Sequence, residues 1–396
     1  MNKPLTVIFI TICLDAVGMG LIIPILPRLL EHVTHASNIA AVVGIMTSLY
    51  ALMQFFFAPV LGALSDRLGR RPVLLVSLAG AATDYWVMAF APQLWMLLIG
   101  RAIAGLTSAN MSVATAYLTD ITPEAGRAGR FGLFNAMFGI GFIIGPVLGG
   151  VLGDIGLRWP FVAAGLLNSA NLLLALSSLP ESHRPQRGRI DFSTLNPLRP
   201  LRWVLARKHL LPVTALFFML SAAGEAYGIC WTLWGHDAFH WDGLHIGLSL
   251  GTFGICQALA QGFLPAPAVK LLGERGTVLA GIVGGCITLV VMAFARVGWQ
   301  VFAVMPLLAL TGIGSPALQS LATRQVDPQH QGQLQGVLAS AVSLASIIAP
   351  LAFSSCYFMV RAQWPGAVWL TAVGVQLLAI PLVLRLRFHA PTLASA

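Results

Sequence analysis

The feature that most constrains this chain is a series of long apolar runs. A helix needs about 20 predominantly apolar residues to span the hydrocarbon core of a bilayer. Charged residues make up only 9% of the chain, whereas soluble domains carry roughly 25%. The sequence therefore predicts an all-α membrane protein with twelve transmembrane helices, at residues 5–27, 39–61, 73–91, 94–118, 131–153, 159–179, 210–234, 246–268, 277–295, 298–322, 335–358 and 366–384.

The Lys and Arg residues predict the orientation of these helices, because basic loops tend to stay in the cytoplasm. With the N-terminus inside, 18 of the 23 basic residues fall on the cytoplasmic side. Only Arg28, Arg158, Arg296 and Arg361 fall outside. Both termini are therefore predicted to be cytoplasmic. This topology also accounts for the formal net charge of +9, so we expect no nucleic-acid partner.

The two halves of the chain resemble each other. Residues 120–149 match residues 325–353 at an offset of 204–205 positions, and Pro146 aligns with Pro350. An even number of predicted helices separates the copies, so both have the same orientation, as in a parallel repeat. We therefore predict two six-helix bundles, at residues 1–179 and 209–396, joined by a cytoplasmic linker at 180–208.

Four charged residues lie well inside the predicted spans: Asp15, Asp84, Arg101 and Glu225. Such charges are costly in a bilayer, face the protein interior or water, and mark ion or substrate pathways. Burial disfavours the charged form of a carboxyl group, so a buried acid can take a proton from one side and release it on the other. The three acids are candidates for proton coupling. The alternative is that each is a structural acid, hydrogen-bonded between helices.

Motifs of enzymes and of ATP-driven pumps are absent from the sequence. It contains no HExxH, no paired Cys site and no GxxxxGK[ST] loop, which are the signatures of metalloproteases, metal or redox sites and nucleotide-binding loops. We therefore expect a chain that is not an enzyme and that uses an ion gradient. No cofactor or metal is expected, although a cation accompanying the substrate stays open.

The loop after the second predicted span reads GALSDRLGRRPVL. It resembles the signature loop of the major facilitator superfamily, G-x-L-x-D-R-x-G-R-R/K, over thirteen residues. The resemblance implies the superfamily's fold, with transport by rocking of two halves around a central site. It also implies a gating role at the cytoplasmic face for Gly62, Asp66, Gly69, Arg70, Arg71, Asp120 and Arg127.

Two further stretches resemble motifs of drug:proton antiporters within that superfamily. LLIGRAIAGLTSAN carries Arg101 and resembles a fourth-span arginine motif linked to proton transfer. NAMFGIGFIIGPVLGG resembles the fifth-span antiporter motif. Small residues at i and i+4 let helices approach closely, and Pro bends a helix. The positions implied are Gly141, Gly145, Pro146, Gly149 and Gly150.

LDAVGMGLIIPILP and YALMQFFFAPVLGALSDRLGRRPVLL resemble the tetracycline exporters, and this resemblance covers nearly the whole chain. It implies functional positions at Asp15, Gln54 and Asp84, besides those already named. The second half departs from that family, which typically has a His in the eighth span and an Asp in the ninth. This sequence has Gln257 and Gly285 at those positions. The resemblance therefore does not identify the transported substrate.

The expected function is proton-coupled efflux of a small amphipathic, tetracycline-like drug across the bacterial inner membrane by alternating access. Two alternatives are export of an endogenous metabolite, such as a siderophore or sugar-like compound, and a receptor or scaffold on the same fold. We expect a monomer whose partners are a small-molecule substrate and the lipid bilayer. The candidate residues are Asp15, Asp84, Glu225 and Arg101 for proton coupling, and Asp15, Gln54, Asp84, Met137, Phe138, Glu225, Trp234 and Gln257 for substrate binding.

Overall fold

The computed structural model describes residues 3–34, 38–123, 127–182, 204–205, 207–326 and 331–385. Helices account for nearly all of this part of the chain, and it contains no strand. In order, they are α1 (Lys3–Ile22), α2 (Leu26–Thr34), α3 (Ile39–Leu68), α4 (Arg70–Phe90), α5 (Leu94–Thr107), α6 (Asn110–Asp120), α7 (Arg127–Ile155), α8 (Trp159–Ser178), α9 (Leu211–Phe239), α10 (Gly243–Phe263), α11 (Pro265–Ala293), α12 (Gly298–Ala309), α13 (Gly314–Thr323), α14 (Gln331–Val360) and α15 (Ala367–Arg385).

Twelve stretches within the described ranges are long and apolar enough to cross a membrane, which confirms the predicted number of spans. Two of them are interrupted. The stretch Leu94–Asp120 consists of α5 and α6 with a break at Ser108 and Ala109, and Gly298–Thr323 consists of α12 and α13 joined by a 3₁₀ turn at Leu310–Ile313. The cytoplasmic placement of the termini stays a prediction.

The first span was predicted at residues 5–27, and its predicted end is wrong because the helix stops earlier. Helix α1 stops at Ile22, and a separate short helix, α2, starts at Leu26. Pro24 lies in the break. Proline has no backbone N–H to donate, and it disfavours the helical conformation of the residue before it. The apolar run therefore continues past the point where the helix breaks.

The helices form two compact units. The first unit contains α1–α8 together with His240–Gly254, which includes the first half of α10. The second contains α9, the rest of α10 from Ile255, and α11–α15. The predicted linker at residues 180–208 falls largely outside the described residues.

Two glycines with positive φ occur at matching points of the two units. Gly69 separates α3 from α4 with φ of +106°, and Gly273 kinks α11 with φ of +70°. Glycine adopts this conformation without the steric cost that a Cβ brings. The two are 204 positions apart, which agrees with the offset of the sequence repeat. The non-helical backbone of Gly273 divides α11 into two helical segments, and the segment after the kink starts within three residues of the predicted span 277–295.

Helices α1 and α7 pack together through small residues. A Cβ built on Gly141 would collide with the Cys13 carbonyl oxygen, and one on Gly149 would collide with the Leu21 carbonyl oxygen. On Gly145 it would lie 2.7 Å from Gly20 Cα. Lipid gives apolar helices little reason to associate, so close van der Waals packing between small residues drives their contact. Three glycines of the predicted antiporter motif thus hold α7 against α1.

Gly145→Ala is expected to lower the thermal stability of the protein. Its Cβ would lie 2.8 Å from the Val17 carbonyl oxygen as well as against Gly20, and overpacking of this kind costs about 1–3 kcal/mol. Gly139→Ala on the same helix is the control, because a Cβ there meets nothing within 4 Å. The control should be neutral or slightly stabilising, since Ala favours a helix over Gly by about 1 kcal/mol. Melting temperatures of the purified proteins in detergent test the pair, and equal values would contradict this packing.

Candidate functional site

Asp84 and Arg101 form a buried ion pair between α4 and α5. The Asp84 side chain is 1% exposed, and Arg101 contacts both of its carboxylate oxygens, with Nε 3.2 Å from Oδ1. A Cβ on Gly100 would lie 2.8 Å from Asp84 Oδ1, so the missing side chain leaves room for the pair. The Arg101 guanidinium also lies over the Tyr50 ring, 5.5 Å from its centroid. Both charges are therefore matched inside the first unit.

Asp15 has a different environment. It is 5% exposed, and its Oδ1 accepts a hydrogen bond of 2.9 Å from the Asn110 amide. Among the described residues it forms no ion pair. Tyr50 links the two acids, because its ring lies under the Arg101 guanidinium and its hydroxyl bonds to Ser108, two residues before Asn110. Asp15 therefore lies near the ion pair but is held by a neutral donor.

The break between α5 and α6 completes this site. Ser108, at the break, exchanges a 2.7 Å hydrogen bond with the Tyr50 hydroxyl and accepts one of 3.0 Å from the Gln54 amide. Asn110 begins α6 just beyond it. The structure thus brings the predicted residues Asp15, Gln54, Asp84 and Arg101 into one polar region.

Met137 and Phe138, also predicted to bind substrate, are half-buried on α7. Both pack against the hydrophobic core of the first unit, and the Phe138 ring stacks on Phe142 at 6.0 Å. Trp234 in the second unit is 1% exposed, and its ring contacts Trp369 at 5.2 Å and Phe239 at 4.9 Å. These contacts are typical of packing, and a substrate contact for the three residues stays a prediction.

Glu225 on α9 is the acid of the second unit. It is half-buried, and its Oε1 accepts a 2.6 Å hydrogen bond from the Ser346 hydroxyl of α14. A Cβ built on Gly224 or Gly228 would meet nothing within 4 Å. Gly228 is one turn from Glu225 and shares its face. Like Asp15, Glu225 has a neutral partner, and it lies beside open space.

Three glutamine side chains lie near the second-unit positions where the sequence departs from the tetracycline exporters. A Cβ on Gly285 would lie 2.6 Å from Gln376 Oε1, and one on Gly312 would lie 2.6 Å from Gln257 Nε2 and 2.9 Å from Gln261 Nε2. Sequence analysis missed Gln376, although a lone Gln within a predicted apolar span, 366–384, is the signal that identifies it. Uncharged amides, rather than an acid and an imidazole, occupy this region.

The predicted cytoplasmic motif forms a charge cluster at the α3–α4 junction. Arg70 pairs with Asp66 and with Asp120, its Nε lying 3.1 Å from Asp120 Oδ2. The backbone N–H of Arg70 donates to Glu181 at 2.8 Å, and a Cβ on Gly69 would collide with the same carboxylate.

Other members of the motif contribute less to this cluster. The Arg71 guanidinium donates to the Leu176 carbonyl oxygen at 2.6 Å. A Cβ on Gly62 would meet nothing within 4 Å. The side chain of Arg127 lies outside the described residues. Sequence analysis missed Glu181, because a polar residue next to the linker carries no pattern of its own.

The second face of α7 packs against the start of α10 within the first unit. A Cβ on Gly150 would collide with the Gly243 carbonyl oxygen, and one on Gly247 with that of Pro146. Asp154 accepts hydrogen bonds from the backbone N–H groups of Gly243 and Leu244, at 3.1 Å and 2.9 Å. The fifth-span motif thus contacts two helices. Gly141, Gly145 and Gly149 face α1, Gly150 faces α10, and Pro146 has its ring near Gly20 of α1 and its carbonyl oxygen near Gly247 of α10.

The sequence profile of the Major Facilitator Superfamily matches residues 8–234 and residues 213–395, which together span nearly the whole chain. The chain belongs to the Major Facilitator Superfamily. It is therefore a transporter rather than an enzyme, with a small-molecule substrate and the lipid bilayer as partners.

Two bacterial relatives align over nearly their full lengths. The tetracycline resistance protein, class C, of Escherichia coli is 46% identical over 384 residues, which cover 97% of each chain. The class G protein of Vibrio anguillarum is 43% identical over 385 residues, covering 97% of this chain and 98% of the relative. With twelve spanning helices, these relatives make the chain a multi-pass protein of the bacterial inner membrane.

A solved structure agrees with this assignment. The human organic anion transporter MFSD10 superposes with a TM-score of 0.70 at 25% identity, covering 96% of this chain and 99% of that one. The fold predicted from the resemblance to the superfamily is therefore confirmed.

Asp84→Asn is expected to destabilise this superfamily member strongly. The substitution leaves the Arg101 guanidinium buried without its charged partner, and breaking a buried pair from one side costs about 3–5 kcal/mol. The double variant Asp84→Asn, Arg101→Gln should lose less free energy of unfolding than Asp84→Asn and Arg101→Gln lose in sum, because no unpaired charge remains. Asp66→Asn is the control, since that carboxylate is 61% exposed and exposed pairs contribute about 0–1 kcal/mol.

Melting temperatures of the wild type, Asp84→Asn, Arg101→Gln, the double variant and the Asp66→Asn control test this prediction. Additive losses in the double variant would contradict a direct interaction between Asp84 and Arg101.

Proposed function

We propose that the chain exports a tetracycline-like, small amphipathic drug across the bacterial inner membrane, in exchange for protons and by alternating access. Its family and its fold support a transporter, and its similarity to two tetracycline resistance proteins supports a drug as cargo. The observation that carries proton coupling is the buried Asp15 carboxyl group, which has a neutral hydrogen-bond donor and no counter-ion among the described residues.

The partners of the three membrane acids support different roles. An adjacent cation favours the charged form of a carboxyl group, whereas burial disfavours it. Arg101 supplies Asp84 with a counter-charge and ties α5 to α4. Within the described part of the chain, Asp15 accepts a hydrogen bond from Asn110 and Glu225 accepts one from Ser346, and neither acid has a cationic partner. Because no cation holds them ionised, they are the two acids that take up and release protons.

The exchange follows from these two protonation states. An ionised carboxylate attracts a cationic group of the drug, and its protonation removes that attraction. Protons entering along their gradient therefore release cargo on the outer side. Loss of the proton on the inner side restores the charge, so that the next drug molecule binds. Alternating access of one site by rocking of two halves is the general mechanism of this fold.

A second candidate function is export of an uncharged or zwitterionic metabolite, such as a siderophore or sugar-like compound. It is favoured by the amides of Gln257, Gln261 and Gln376, which lie beside Gly312 and Gly285 in the second unit. Amides donate and accept hydrogen bonds without carrying charge, so this region suits hydroxyl and carbonyl groups. Cargo with many such groups would bind there without a cationic centre.

Asp15→Asn and Glu225→Gln are each expected to abolish proton-driven transport, because neither amide takes up a proton near neutral pH. Inverted membrane vesicles with a pH-sensitive dye report proton release when tetracycline is added. Glu31→Gln is the control, since Glu31 is an exposed acid of the short helix α2. Normal proton release by both membrane variants, at wild-type protein levels, would overturn the assignment.

Expression in a susceptible strain that lacks its own drug exporters is expected to raise the inhibitory concentration of tetracyclines. The Asp15→Asn variant should remove this resistance at an equal protein level. The cells are tested against a panel of antibiotics, and the medium is compared with that of cells without the gene. Resistance to no antibiotic, together with release of a compound made by the cell, would replace the drug proposal by the metabolite proposal.

A further inference from the structure

A layer of polar side chains lies buried around Asp15. On α1, Thr11 and Gly18 share the helical face of Asp15, one turn to either side. Helix α8 places two asparagines against this face. The Asn171 amide donates to the Thr11 carbonyl oxygen at 3.0 Å, and a Cβ on Gly18 would collide with the Asn168 amide nitrogen. Asp15 therefore lies between two turns of α1 that each contact an asparagine.

Four oxygen atoms of this layer are buried and have no hydrogen-bond partner among the residues that the structure describes. They are Thr11 Oγ1, Asn168 Oδ1, Asn171 Oδ1 and Asn110 Oδ1. Thr11, Asn168 and Asn171 are 0% exposed as whole residues. The fourth atom belongs to the amide that donates to Asp15.

Each of these oxygens belongs to the Asp15 face of α1 or to a side chain that contacts α1, and each lacks a donor among the described residues. Nearly all buried polar atoms are hydrogen-bonded to protein or to ordered water, and each exception is costly in a bilayer. The membrane supplies no donors at this depth, so each of these oxygens needs a partner within the protein. Four orphans around one acid match the environment of buried water, which takes two to four polar partners.

We infer that Thr11, Asn110, Asn168 and Asn171 hold buried water molecules that carry protons to and from the Asp15 carboxyl group. In each transfer, a water gives one proton to a carboxylate oxygen and takes a proton from the next water, so that charge moves without net displacement of the waters. Deprotonation of Asp15 runs along the same route in reverse. This inference rests on the proposed role of Asp15 in proton coupling.

Few titratable groups compete for these protons. Helices α7 and α8, which pack against α1, carry none at this depth, because residues 131–153 and 159–178 contain no acidic, basic, Cys or Tyr residue. Tyr50 of α3 and Tyr85 of α4 face the region, since the Tyr50 hydroxyl bonds to Ser108 and a Cβ on Gly18 would lie 3.3 Å from the Tyr85 ring. Arg101 is paired with Asp84. Asp15 is therefore the acid that the water layer serves.

Thr11→Val tests the role of the waters, because Val has nearly the same shape as Thr but no hydroxyl group. If Thr11 Oγ1 is hydrated and part of the relay, proton-driven tetracycline transport in inverted vesicles should fall about tenfold, which is the effect of one lost hydrogen bond on a rate. Exchange of labelled for unlabelled tetracycline at equal pH should stay at the wild-type rate, since it moves no protons. Asn171→Leu should likewise lower proton-driven transport and leave exchange at the wild-type rate.

Thr288→Val is the matched control. Thr288 is also 0% exposed, but its hydroxyl donates to the Gly284 carbonyl oxygen at 2.8 Å. This variant should transport like the wild type. If the layer holds no water, Thr11→Val should leave proton-driven transport unchanged. It should also raise the melting temperature, because an unsatisfied hydroxyl has been removed. That outcome would overturn the inference.

Asp15→Asn separates this inference from the proposed function. If Asp15→Asn loses proton-driven transport while Thr11→Val and Asn171→Leu keep it, Asp15 carries protons but the relay is wrong. If Asp15→Asn keeps proton-driven transport, the proposed role of Asp15 fails, whatever the other variants show. Loss of both transport and exchange in Thr11→Val would indicate a packing defect and would also overturn the relay.

Discussion

The structure depends on the lack of water inside a bilayer, which forces each polar group in a span to find its partner within the protein. Asp84 meets this constraint with Arg101, and both charges are buried together. Most hydroxyl groups meet it locally, as when Thr288 donates to the carbonyl oxygen one turn earlier. Asp15 and Glu225 meet it with neutral donors from neighbouring helices. These partners are few and specific, and they distinguish the ion-paired Asp84 from the two acids that have no counter-ion among the described residues.

Close packing of small residues brings those partners together. Gly145 and Gly20 bring the backbones of α7 and α1 into contact, and Gly100 leaves room for the Asp84 carboxylate. The glycines of α7 that resemble a family motif therefore allow the close helix packing that a polar region on α1 requires. The charge cluster at Gly69 follows this rule as well, because a side chain there would occupy the position of the Glu181 carboxylate.

Much of the architecture was predictable from sequence, since an apolar run of spanning length has one stable structure in lipid. Twelve spans were predicted and twelve are present in the described ranges. The break after Ile22 was missed because hydropathy continues through Pro24. Of the candidate site, Asp15, Asp84, Arg101 and Glu225 were predictable because an isolated charge in an apolar run is conspicuous. Asn110 and Glu181 were not, because each becomes informative only through a contact with a residue distant in sequence.

The sequence alone determined the number of membrane helices, the repeat and the residues that carry charge into the membrane. All of these follow from local composition and spacing. Only the tertiary structure decided the partner of each charge, because partners on α4 and α5, or on α1 and α6, are chosen by helix packing. It therefore distinguished the ion-paired Asp84 from Asp15, which is held by an amide beside four unpartnered oxygens of the described residues. It also placed Gln376 in the space beside Gly285, a contact across 91 positions of sequence that no local pattern encodes.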